Sequence, residues 1–417
     1  MTFNKAFNAA PTEPGEEVFG ATEVLYSRTD NRGVISAANA VFHRLAGREP
    51  GTSIGAPHNI VRHPDTPKVI FWLMWKSLNE GQAFMAYLKN KSARGGWYWV
   101  LAVIVPCEGG FISGQIKPSG ALFAEVKSLY AELGKVEETR SLPPEAILEH
   151  LQKKVSDLGF ASYSDFISSA LDQEILSLEK AIDRANPLRE RALVAVKSSL
   201  AAALKQQELV LADFDALQSI PTNMRIIASR LEPSGGPISA ISDNYRFASS
   251  EILRRLEGFA GQDGNLVLTM TQILGEGFFL TGIERFLSAI GRQFGSESAG
   301  ATSLDLPEER RILSGVSEKY TVLSHASLGK AEVVSGELNV VAGEVRRRML
   351  GLDTIRVMGR VESGRLGSAG IGLAATIDQL DTRHVAINEH LLSLMDLCIA
   401  IQTGIHSYQR QAEKTVW

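Results

Sequence analysis

Two cysteines in 417 residues exclude a disulfide framework. Cys107 and Cys398 lie far apart in apolar surroundings and read as small buried hydrophobes in a reducing compartment. Basic charge is not in excess either. The 43 Lys and Arg are outnumbered by 47 Asp and Glu, the net charge is −4, and the cations are scattered. This excludes an electrostatic surface for nucleic acid. Long clean apolar runs are also missing. Residues 265–283 and 390–405 come nearest, but polar or charged residues interrupt each. They read as buried amphipathic helices, so no transmembrane segment is expected. The opening MTFNKAFNAAPTEPGEE has no apolar core of a signal peptide, and the expected location is cytoplasmic.

Catalytic apparatus is equally sparse. There is no HExxH, no cysteine cluster and no GxSxG elbow, and the glycine-rich stretches lack the Lys and strand–turn–helix setting of a phosphate loop. His58 and His63 stand five apart with Asp65 beyond, yet Pro64 interrupts them and no third ligand completes a metal set. Neither an enzyme nor a metal centre is expected.

What is present is concentrated near the N-terminus. Four of the five tryptophans, Trp72, Trp75, Trp97 and Trp99, fall in or just after GAPHNIVRHPDTPKVIFWLMWKSLNEG, residues 55–81. Residues 21–119 alternate as an α+β domain. VLYSRTD and VISAAN are strands joined by a turn with Asn31 and Gly33, followed by a short helix closed by Gly47. Thr66 is placed to cap a helix, with Pro67 at its first position, that runs to Gly81. QAFMAYLKNK, GWYWVLAVIVP and GFISGQIKP are three further strands, rich in aromatic and β-branched residues. This order predicts one antiparallel sheet with helices over one face and room for a ligand between them.

A planar ligand needs flat apolar walls and a few donors for its heteroatoms. Trp72, Trp75 and Phe84 supply aromatic surface, Asn39, Asn59 and Asn90 supply amides, and Arg62 supplies a fork of donors. The competing reading is that Asn39 caps a helix, the tryptophans are core, and Arg62 and Asp65 brace a loop.

These residues resemble a family. SRTDNRGVISAANAVFHRLAG, then PHNIVRHPD with the P, F, MW and L that follow, then LKNKSARGGWYWVLAVIVP and FISGQIKPS are similar to the flavin-binding PAS domain of bacterial aerotaxis receptors. The resemblance implies noncovalent FAD and a report of redox or oxygen status. It places Arg62, His63 and Asp65 at positions that hold FAD, and Asn39 and Asn90 at pocket or support positions. Two positions depart from the family. Phe84 stands where a Trp is usual, keeping a stacking face without an indole N–H, and Lys117 replaces a common Arg, keeping charge without the bidentate fork. A haem-binding PAS domain is the alternative cofactor reading, with His43, His58 or His63 as axial ligand.

From residue 120 onward strand signals nearly vanish. Residues 1–20 read as an N-terminal cap, 120–142 as a helical linker, and 143–417 as an all-α elongated bundle for signalling or interaction. Breaks are expected near 186–187, 232–237, 261–264, 291–303 and 363–370. MRIIASRLE (224–232) is similar to IRVMGRVE (355–362), which suggests two related helical hairpins. The aerotaxis resemblance implies a chemotaxis coupling protein and a histidine kinase as partners, or another signalling protein, and a homodimer. Against it stands a non-enzymatic scaffold with a ligand-free PAS dimerisation module.

Overall fold

The computed structural model describes residues 15–140, 142–231, 236–261, 264–296 and 304–413. The expected cap at 1–20 therefore lies largely outside the described residues, as do most of the break at 232–237, the centre of that at 261–264 and the end of that at 291–303. The chain divides into two compact units. One is the chain up to Ala185 with Gly275–His325, and the other is Asn186–Leu274 with Ala326–Val416.

The first unit is built on a five-stranded antiparallel sheet, in the order β2-β1-β5-β4-β3. Its strands are β1 (Leu25–Asp30), β2 (Ile35–Ala38), β3 (Phe84–Lys91), β4 (Trp97–Cys107) and β5 (Gly110–Ile116). The β1–β2 turn is closed by the Asp30 carboxylate, which accepts from the backbone N–H of Arg32 at 2.8 Å and Val34 at 2.9 Å. Helices α1 (Ala40–Ala46), α2 (Pro50–Ser53) and α3 (Lys68–Asn79) lie between β2 and β3 in the chain. Asn39 caps α1, and Gly47 ends it in the left-handed conformation at φ 63°.

Thr66 does not cap α3. Its hydroxyl is spent on β3, donating to the carbonyl of Lys89 at 3.1 Å and accepting from its N–H at 2.9 Å. The open N–H groups of Lys68 and Val69 instead donate to Glu137, at 2.9 and 3.0 Å. Glu137 belongs to α4 (Leu122–Arg140), so a carboxylate far along the chain satisfies the helix start.

Period-two alternation gives the sheet two distinct faces. Thr29, Leu88, Asn90, Ile104, Phe111, Ser113 and Gln115 border a cavity on one face. Tyr26, Arg28, Tyr87, Trp99 and Gly114 alternate with them and meet helices from beyond residue 120. Phe123 of α4 stacks on Tyr87 at 5.5 Å and meets Trp99 edge-on at 5.4 Å. The sequence gives helices over one face, and the opposite face is covered as well.

Three further helices of this unit carry buried polar locks. α5 (Pro144–Asp157) is followed by α6 (Tyr163–Ala181), where the buried Glu174 accepts from Tyr87 Oη at 2.9 Å and from the N–H of Ser119 and Gly120 at 2.6 and 2.8 Å. Glu179 of α6 forms a two-point ion pair with Arg285 of α9 (Leu266–Ser296), at 2.9 and 2.7 Å. Glu309 of α10 (Leu306–Arg365) is held by the Arg28 guanidinium at 2.7 Å and the Tyr26 hydroxyl at 2.5 Å.

The second unit is all helical. α7 (Pro187–Leu231) and α8 (Pro237–Ala260) form one hairpin, and the later part of α10 with α11 (Ile371–Glu413) forms another. α7 and α11 run antiparallel at close range, with Gly404 against Val196 and Gly372 against Ile227. Buried positions recur at one constant offset between the hairpins. Ala203, Val210, Phe214 and Leu217 correspond to Leu338, Val345, Met349 and Leu352, and Ile238, Tyr245 and Ile252 to Leu373, Leu380 and Ile387. Ion pairs recur at the same offset, Arg225–Asp243 at 3.1 Å and Arg360–Asp378 at 2.6 Å. In this register Met224–Leu231 lies opposite Gly359–Leu366, one helical turn beyond the segment with which the sequence comparison pairs it.

Leu266–Gly295 and Gly367–Gln411 are long and apolar enough to cross a membrane by length and composition. Within the first unit, α9 turns Phe286, Ile290 and Phe294 onto the sheet.

Candidate functional site

The site is a cavity of about 200 Å³ between the inner face of the sheet, α3 and the segment leading into it. The 3₁₀ turn His58–Val61 is fixed at one end by His58 N–H donating to Gly33 O at 2.8 Å, and beyond its other end by His63 N–H donating to Lys89 O at 3.2 Å. The turn therefore spans from the β1–β2 connection to β3 and forms one wall. α3 forms another with Phe71, Met74, Trp75 and Leu78, which recur at three- and four-residue spacing on one helical face.

The floor is polar. Asn90 Nδ2 donates to Gln115 Oε1 at 3.2 Å, and Gln115 Nε2 donates to Ser113 Oγ at 3.3 Å. All three residues are buried. An amide chain in an apolar strand region offers both donors and acceptors to a heterocycle, and each amide reverses its polarity by turning over. At the rim, the Arg62 guanidinium lies 3.9 Å from the centre of the Phe71 ring. Burial pulls its pKa below the ordinary value, partly offset by the charge of Glu137. Trp75 stands edge-on to Phe111 at 6.0 Å and is 37% exposed, leaving much of its indole available.

Of the ten residues given a pocket role in the sequence, four line this cavity: Asn59, Arg62, Trp75 and Asn90. The other six lie elsewhere, each for a local reason, and Trp72 carries the Lys76 ammonium over its ring at 5.4 Å. Asn39 is fully buried at the start of α1, where Oδ1 accepts from Tyr26 and Phe42 N–H and Nδ2 donates to Val24 O. His63 Nδ1 accepts from the N–H of Asp65 at 3.2 Å, and the Asp65 carboxylate pairs with Lys89 at 2.7 Å. Phe84 is a buried β3 residue in register with Ile104. Lys117 donates to Phe19 O at 3.3 Å.

Sequence reasoning missed Ser113 and Gln115. Their signal was available in FISGQIK, where two polar residues share a strand face with Phe111 inside an otherwise buried strand. It also gave Phe71 no role in the pocket.

Of the three histidines considered as axial ligands, His58 alone lines the cavity. Its Nε2 is 2.9 Å from Ser27 Oγ, and burial pushes its pKa down to about 4. The unfolded chain therefore binds this proton first as pH falls. The stability tied to neutral His58 is fully present above about pH 6.5 and is lost as pH falls through about 4. Ligand-free protein is expected to lose on the order of 3 kcal/mol across that window through this group. His58→Gln is expected to flatten that part of a denaturation-versus-pH profile, and an unchanged profile would assign the loss to other groups.

This geometry, a five-stranded antiparallel sheet with short helices enclosing a ligand-sized hollow on one face, defines the chain's N-terminal domain as a PAS fold. Residues 35–111 match the PAS fold family. PAS domains are sensory modules and not catalytic ones. Among curated proteins, the aerotaxis receptor of Escherichia coli (strain K12) is 38% identical over 114 residues, which are 26% of this chain and 22% of that receptor. The matched part thus spans about a fifth of the relative. A PAS domain homologous to that receptor's is followed here by a long helical region.

Proposed function

We propose that the chain is a redox or oxygen-status sensor that holds FAD in the PAS cavity and relays its state through the helical region. The observation that carries this reading is the amide floor of Asn90, Gln115 and Ser113 beneath an aromatic wall, in a domain similar to that of an aerotaxis receptor. The residues fit the group. A cavity of about 200 Å³ is smaller than the ~300–1,000 Å³ usual for whole drug-sized ligands, so it suits a ring system and leaves the phosphates to the rim near Arg62.

Bound FAD supplies reversible uptake of electrons and a proton at its ring system. The chain answers through hydrogen bonding. Asn90 and Gln115 recognise donors and acceptors on the ring, and a change in that pattern favours a different orientation of the Gln115 amide. Gln115 is adjacent in β5 to Gly114, whose other face meets Phe286 and Ile290 of α9. A rearrangement at the floor is thereby one residue from a helix on the opposite side of the sheet. The output partners of this reading are a coupling protein and a histidine kinase, and its location is the cytoplasm.

Purified protein is expected to show blue flavin absorption that bleaches reversibly on reduction. Colourless protein that FAD does not reconstitute would favour a ligand-free scaffold, and a Soret band would favour haem at His58. Arg62→Ala is expected to weaken FAD binding about tenfold or more, by loss of charge-assisted bonds. Gln115→Leu is expected to retain the flavin but lose the redox-dependent change in protease sensitivity of α9. Full retention of that change would remove Gln115 from the relay.

A further inference from the structure

We propose that Arg32, on the turn between β1 and β2, is a specificity residue of the cavity and selects a flavin by its phosphate tail. This selection rests on the flavin proposed above for the PAS cavity. A hollow of about 200 Å³ holds a ring system, so whatever the ring carries must leave through the mouth. Arg32 and Arg62 are the cationic side chains that border the cavity, and no Asp or Glu borders it among the described residues. The whole chain has a net charge of −4, so this lining runs against the average of the molecule. A phosphate on the ligand gains from it, whereas a neutral ribityl chain does not.

The two arginines come from separate turns that the backbone ties together. His58 N–H donates to Gly33 O at 2.8 Å, and Ile35 N–H donates to Ala56 O at 2.9 Å. The segment leading to Arg62 is thereby fixed to the turn that carries Arg32. The same turn also rests on α3. Gly33 has φ 79°, and a Cβ there would lie 3.2 Å from the Trp75 ring, so the backbone passes against an indole that borders the cavity. Asp30 orients the Arg32 side chain, its Oδ2 accepting from Nε at 3.1 Å and from Nη2 at 3.0 Å. Its Oδ1 is taken by the backbone N–H groups of Arg32 and Val34, and the carboxylate does not border the cavity. One edge of the guanidinium is therefore used, and Nη1 has no partner among the described residues. A fork held along one edge is pre-organised for an oxyanion on the other. Folding does not depend on the pair. The Arg32 side chain is 83% exposed, and an ion pair so exposed contributes little stability.

The test is a titration of the full chain, freed of bound flavin, with FAD and with riboflavin, read by flavin fluorescence. Wild type is expected to bind FAD at least tenfold more tightly than riboflavin at low salt, and to lose most of that preference at high salt. Arg32→Gln is expected to weaken FAD binding about tenfold, the worth of one charge-assisted bond, while riboflavin affinity stays within twofold of wild type. Arg32→Lys keeps the charge without the fork and is expected to fall between the two. Unchanged riboflavin binding shows an intact cavity, so the loss is read at the mouth alone. Equal loss of both flavins in Arg32→Gln overturns the proposal, because the residue then only supports the turn. FAD binding that survives the substitution also overturns it, and leaves the flavin in the cavity standing. A wild type that binds neither flavin overturns both.

Discussion

Glu174→Ala is expected to destabilise the first unit by about 3–5 kcal/mol, the cost of leaving several buried donors without an acceptor. The carboxylate is fully buried and receives Tyr87 Oη, Ser119 N–H and Oγ, and Gly120 N–H between 2.6 and 3.0 Å. Alanine supplies no acceptor, and the cavity it leaves is walled by the backbone just after β5. Four of the five tryptophans lie between Trp72 and Trp99, so denaturant unfolding followed by tryptophan fluorescence reads this unit. Glu174→Gln keeps one acceptor oxygen and is expected to fall between alanine and wild type. A loss below about 1 kcal/mol for alanine, the worth of one ordinary hydrogen bond, would show that the four donors find other partners.

Gly114→Val is expected to separate sensing from relay. A Cβ at this position would lie 2.3 Å from Phe286 and 2.5 Å from Ile290, far inside contact distance, so α9 must leave its seat on β5. The cost should reach about 3 kcal/mol, the upper part of the usual range for overpacking. The inner face is spared, because Ser113 and Gln115 point the other way across the pleat. FAD affinity should therefore stay within a few-fold of wild type, while α9 becomes protease-sensitive in both redox states. Loss of FAD together with the relay would show that β5 transmits the strain to both of its faces.

The PAS fold was legible because its evidence is local. Alternation in QAFMAYLKNK, GWYWVLAVIVP and GFISGQIKP, the turn around Gly33, and the Asn39 and Gly47 caps each act within a few residues. The cavity was legible only in part. Arg62, Trp75 and Asn90 meet there, whereas Gln115 joins Asn90 through the pairing of β4 with both β3 and β5. Thr66 shows the limit in one residue. Its sequence position suits a helix cap, but β3 lies close enough to take both of its hydrogen-bonding capacities.

Sequence alone determined the antiparallel sheet, the change to long helices near residue 120, and the scarcity of catalytic groups, because periodicity and residue type suffice for each. Tertiary structure decided the rest. It assigned Glu137, Glu174 and Glu309 to groups far away in the chain, put helices on the second face of the sheet, and set the register of the two hairpins. Carboxylates on amphipathic helices look solvated in a sequence. Only packing removes the water and reveals which donors must replace it.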